Sequence, residues 1–170
     1  LKINRISKVI VPNVESDFYI PIDFNFGDME STTEGRRCVS IRDVEEKSMF
    51  EIGIGEKSGD LKYITLVSSP KIQLKIPTSN YVPTEIGLPS FETQEWKKYY
   101  TIVVKDFQVY IDKRTVLIVL SSNKIVKRVI NNRVSFGFDK DKMLCDIEIN
   151  NFSDAEKEVL EESLKASKAL

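Results

Sequence analysis

The chain has 170 residues, 25 basic and 26 acidic side chains, a formal net charge of -1 and an apolar fraction of 41%. That length suits one domain or two small ones and buries about 70% of the surface an unfolded chain exposes, so folding requires neither a disulfide nor a metal. The balanced charge argues against nucleic acid as main partner, and the sequence holds no run of about 18 apolar residues to cross a membrane.

The charged residues 1–13 lack the apolar stretch of a signal peptide. Cys38 and Cys145 stand far apart in sequence and are expected to be free thiols in a cytoplasmic protein. Histidine is absent. This removes Ser-His and Cys-His nucleophile pairs, imidazole ligands and a titrating switch near neutral pH.

Residues 2–12 and 17–26 read as strands, the second alternating through Phe18, Ile20, Ile22, Phe24 and Phe26. Pro21 makes that second run an edge strand or a bulge. Residues 27–37 form a polar loop, and residues 38–45 favour a short strand. Phe50–Ile54 turns through Gly55–Asp60 and returns as Leu61–Val67, a hairpin. Residues 71–76 alternate as a strand closed by Pro77, and residues 77–96 are proline-rich and aperiodic. A stretch of that length reads as a functional loop or a linker. The chain is therefore a single strand-rich domain over 1–170, or two β halves, 1–77 and 97–170, joined by the loop 78–96.

Short strands follow at 100–105, 108–112, 115–121 and 125–130, of which Thr115–Leu120 is apolar on both faces and belongs inside a sheet. Val134, Phe136 and Phe138, then Cys145, Ile147 and Ile149, alternate on either side of the turn Asp139–Lys142. Ser153 and Glu156 form a capping box, and Ala155, Val159, Leu160 and Leu164 give the following helix an apolar stripe. The fold class is α+β, predominantly antiparallel β-sheet with a C-terminal amphipathic α-helix. The two hairpins also resemble each other. Ile52-Gly53-Ile54 matches Phe136-Gly137-Phe138, and Leu61, Ile64 and Leu66 match Leu144, Ile147 and Ile149. Duplication and the shared grammar of hairpins both account for this.

Three motifs invite chemical readings. Gly53–Gly59 is glycine-rich with a Lys-Ser pair, but a phosphate loop requires a glycine before the lysine and a helix after it. Hairpin glycines explain it better. Asp139 and Asp141 open like a calcium loop without the glycine and final glutamate that such a loop requires. The carboxylates Asp28, Glu30, Glu34, Glu45 and Glu46 supply acids without showing that any two share a cleft. No catalytic residue, metal site or cofactor is expected.

The remaining candidates are contact residues. Tyr81, Phe91 and Trp96, with Tyr99 and Tyr100, lie in or beside the proline-rich stretch, where aromatic side chains either anchor a partner or pin the loop to the sheet. The acidic loop with Asp28, Glu30 and Glu34 would form the charged rim.

The segment 50–72, FEIGIGEKSGDLKYITLVSSPKI, resembles one in bacterial immunity proteins of polymorphic and contact-dependent growth inhibition toxins. The ending 134–160, VSFGFDKDKMLCDIEINNFSDAEKEVL, is similar to their common C-terminus. The resemblance implies a cytoplasmic inhibitor that occludes the active site or substrate groove of a cognate toxin domain; from the composition, no nucleic acid and no membrane is expected as partner. A structural or assembly subunit is the alternative, and a carboxylate-dependent enzyme a third.

Overall fold

The computed structural model describes residues 1–27, 34–78 and 81–167. Among them, fifteen strands precede one helix. In chain order these are β1 (Ile3–Ser7), β2 (Asn13–Glu15), β3 (Ile22–Asn25), β4 (Arg36–Arg42), β5 (Met49–Gly55), β6 (Leu61–Ser68), β7 (Ile72–Gln73) and β8 (Thr84–Ile86). There follow β9 (Leu88–Phe91), β10 (Tyr100–Val104), β11 (Gln108–Asp112), β12 (Thr115–Val119), β13 (Lys127–Asn131), β14 (Val134–Phe138), β15 (Leu144–Ile149) and α1 (Asp154–Ser167).

A six-stranded sheet has the order β10-β4-β5-β6-β3-β2, and a seven-stranded sheet the order β7-β11-β12-β15-β14-β13-β8. Strands β1 and β9 form a separate pair. Strand β12 lies inside its sheet, as its two apolar faces require. Both large sheets are mixed rather than purely antiparallel, because β10 joins β4, β7 joins β11 and β8 joins β13 in parallel. All three parallel strands sit at sheet edges. Each comes from outside the run of strands that builds its sheet: β7 and β8 precede β11–β15 and flank the second sheet, and β10 follows β2–β6 and flanks the first.

The two sheets repeat one plan. The order β4-β5-β6-β3-β2 of the first matches β13-β14-β15-β12-β11 of the second, with antiparallel pairing throughout. The similar hairpins occupy equivalent places in opposite sheets, and their bulges coincide. Gly53 faces Tyr63 and Ile54 then faces Leu61; Gly137 faces Asp146 and Phe138 then faces Leu144. Each hairpin skips one residue of its return strand immediately after the glycine.

Strand alternation turns Phe24, Phe50, Ile52, Ile54, Ile64 and Leu66 of one sheet, and Val116, Ile118, Val129, Phe136, Phe138 and Ile147 of the other, into one buried core. Aromatic contacts cross it. Phe26 meets Phe136 with ring centroids 6.4 Å apart, and Phe91 meets Phe138 at the same separation. The helix covers this core with Leu160 and Leu164 and packs on β6. Its capping box is formed as the sequence specifies: the Ser153 amide donates to Glu156 Oε2 at 2.7 Å, and the Glu156 amide to Ser153 Oγ at 3.1 Å. Arg133 then ties the β13–β14 turn to the helix through Glu156 at 2.6 Å, with its guanidinium 5.0 Å above the Phe24 ring.

Four sequence expectations give way. The strand expected over 2–12 ends at Ser7, and the one expected over 71–76 shortens to Ile72–Gln73. The strand expected over 17–26 begins only at Ile22, because the Asp17 carboxylate accepts from the Tyr19 and Ile20 amides at 2.7 Å and folds residues 17–20 into a turn. The stretch 78–96, expected to be an aperiodic loop, contains β8 and β9. Gly87, at φ 151, turns the chain from the edge of one sheet into the pair with β1, where any side chain would collide with the Ser7 carbonyl.

The aromatic contact across the core fixes one expected outcome. Phe136→Ala should lower the unfolding free energy by about 3–5 kcal/mol, read from urea denaturation, whereas Ser153→Ala should cost only about 1 kcal/mol. Equal losses would show that the aromatic contact is not the dominant one.

Candidate interaction surface

The candidate contact residues end up in five different situations. Asp28 and Glu30 lie outside the described residues. Glu34 belongs to a turn rather than to a charged rim: it accepts from the Lys57 and Ser58 amides at 2.9 Å and from the Ser58 hydroxyl at 2.5 Å, and it pairs with Lys62 at 3.4 Å. The glycine-rich turn thus carries a ring of amides suited to an anion, and the chain's own carboxylate fills it. Gly59, at φ 69, closes that turn beneath the Phe91 carbonyl.

Phe91 is no contact residue. It is 1% exposed and packs against Phe138, because β9 turns it into the core. Trp96 is half-buried against the same core, and its carbonyl accepts from the Arg37 guanidinium. It lines a cavity of about 200 Å³ with Val39, Ile41 and Val103, so its ring pins the loop. Asp139 likewise serves its own turn, accepting from the Asp141 and Met143 amides at 2.9 Å and from Asn123 at 2.7 Å. Among the described residues, no group of three His, Cys, Asp or Glu side chains is placed to hold a metal.

Tyr81 is different. It is 95% exposed and stands at the rim of a groove of about 370 Å³ on the outer face of the seven-stranded sheet. The groove floor comes from β13, β14 and β15, with Arg128, Ile130, Ser135 and Glu148, and its end from Asn132, Asn150 and Asn151. Strand alternation places these side chains outward because Val129, Phe136 and Ile147 point to the core. Its charges are held in place. Arg128 donates to Asp146 at 2.7 Å and to Ser135 at 3.2 Å, and Asn150 donates to Glu148 at 2.8 Å. Burial pushes the Asp146 carboxyl up, opposed by Arg128 beside it. Sequence reasoning missed this floor, because Arg128, Ser135 and Glu148 are ordinary outward strand positions in the sequence.

The equivalent face of the six-stranded sheet carries a second network. Arg42 donates to the Tyr100 hydroxyl at 2.7 Å, and that hydroxyl donates to Glu51 at 2.9 Å. Burial raises the neighbouring Tyr63 phenol and the Cys38 thiol, which lie close to each other. A thiol raised in this way is a poor nucleophile.

A scan against family models finds no match to this chain, and a search of curated proteins finds none.

Acid stability follows from two carboxylates. Burial alone would raise Glu34, but the Ser58 hydroxyl and the Ser58 and Lys57 amides outweigh it and hold the carboxyl at about 2. The Arg133 guanidinium, with the Ser153 amide, holds Glu156 at about 2 against its partial burial. Both folded values lie below the ordinary 4.5, so the unfolded chain binds these protons more tightly. Their stabilisation is complete above pH 4.5 and is lost as the pH falls toward 2. Urea midpoints measured across that window should fall steeply for the native chain and less steeply for Glu34→Gln and Glu156→Gln.

Proposed function

We propose that this chain works by binding another protein, and that its partner is a bacterial toxin domain whose active site it covers. The resemblance of residues 50–72 and 134–160 to immunity proteins names the partner class. The observation that carries the binding reading is the exposure of Tyr81 over a groove whose floor is already hydrogen-bonded. An aromatic ring with a polar tip, beside arginine and asparagine side chains, has the composition of the energetic centre of a protein interface. Because the floor is pre-organised by the Arg128–Asp146 and Asn150–Glu148 contacts, docking would order few side chains and lose little entropy. The arginines are neutralised by their carboxylates, so the contact rests on shape and hydrogen bonds more than on net charge.

The test is to sequence the genes adjoining this one and to co-express the chain with a toxin domain encoded there, the absence of any such gene counting against the toxin reading. The native chain should restore growth and co-purify with that domain. Tyr81→Ala should weaken the complex by roughly tenfold or more while leaving the melting temperature unchanged. Growth arrest despite expression of the native chain would sink the toxin reading, and an unchanged affinity for Tyr81→Ala would remove this groove from the contact.

A further inference from the structure

Strand β10 is the longest edge strand of the two large sheets, five residues against three for β2 and β8 and two for β7. The Tyr99 carbonyl accepts from the Cys38 amide at 2.9 Å, and the Lys105 amide donates to the Arg42 carbonyl at 2.7 Å. Tyr99, Thr101, Val103 and Lys105 therefore turn their backbone groups to β4. Successive residues of a strand point theirs in opposite directions, so the N–H and C=O of Tyr100, Ile102 and Val104 face away from the sheet. Their side chains rise from its outer face, 41%, 51% and 64% exposed. A flat, apolar edge of this kind is a template for another strand.

We propose that this edge pairs with a second copy of the chain, antiparallel about a twofold axis through Ile102, joining two six-stranded sheets into one. The residues around the axis select this occupant. In that register Lys98 stands opposite Asp106 of the second copy, Tyr99 opposite its Lys105, Tyr100 opposite its Val104 and Thr101 opposite its Val103. Opposite charges meet, apolar side chains meet, and a lysine faces an aromatic ring. Lys98, Lys105 and Asp106 are exposed and make no ion pair among the described residues. The neighbouring registers lose this match. An axis through Thr101 sets Lys97 against the other Lys105, and an axis through Val103 sets Lys98 against Gln108. The outward groups of Tyr100, Ile102 and Val104 lie where an antiparallel ladder needs them. The contact is isologous, so it closes as a dimer and consumes both edges rather than growing into a fibre. It is also separate from the Tyr81 groove, which lies on the other sheet.

The test is sedimentation velocity on the full chain over about 1–100 µM, with the melting temperature as the control for folding. The native chain should dimerise. Lys98→Asp should weaken the dimer by roughly tenfold, since both symmetry-related pairs become like-charged. Adding Asp106→Lys should restore it. Ile102→Pro removes one outward amide from each copy without touching the ladder to β4, a position where an edge strand tolerates proline, and it should give a monomer. A native chain that stays monomeric overturns the proposal. So does a dimer indifferent to Lys98→Asp, or one that the double exchange fails to recover.

Discussion

Everything in this molecule depends on bringing two sheets together over one aromatic core. Phe26 against Phe136 and Phe91 against Phe138 connect elements more than a hundred and more than forty residues apart in sequence. Neither sheet has anywhere else to bury its apolar face, so each is a solvent for the other. The crossings of β7, β8 and β10 from one sheet's sequence to the other's edge follow from the same constraint. They cover strands that would otherwise be edges, and β7 and β10 tie the halves 1–77 and 97–170 by backbone hydrogen bonds as well as by packing.

The repeated plan shows how the same backbone can carry different chemistry. Gly53 and Gly137 stand at equivalent positions before equivalent bulges, and each lies beneath a side chain from the return strand. In one sheet that side chain is the ring of Tyr63, close to Cys38; in the other it is the carboxylate of Asp146, bonded to Arg128. The absence of a Cβ lets both lie flat against the sheet. The edges added in parallel beyond these hairpins, β10 and β8, are equivalent as well. One presents an apolar ladder, and the other leads back to Tyr81.

Much of the polar sequence that looks chemical is spent on turns. Glu34 fills the amide ring of the glycine-rich hairpin, Asp139 holds the β14–β15 turn, and Asp17 closes residues 17–20. Each carboxylate satisfies backbone donors that the turn would otherwise leave unpaired, which is why these residues sit at positions that resemble motifs for phosphate or calcium. Buried asparagine does similar work: Asn131 exchanges hydrogen bonds with both backbone groups of Ile10 and stands in for a strand partner there.

The sequence alone determined the local elements whose signals are periodic or chemical at short range. The hairpins at 49–68 and 134–149, the interior placement of Thr115–Val119, the capping box of Ser153 and Glu156 and the likeness of the two hairpins could be read directly, because each rests on neighbours within a few residues. Tertiary structure decided the rest. Strands β8 and β9 have no alternation to betray them and exist because β13 and β1 offer partners. Phe91 and Tyr81, ten residues apart in the same proline-rich stretch, part company, one 1% and the other 95% exposed. Which of them stays at the surface depended on whether a distant strand lay beside each, and residue type does not encode that.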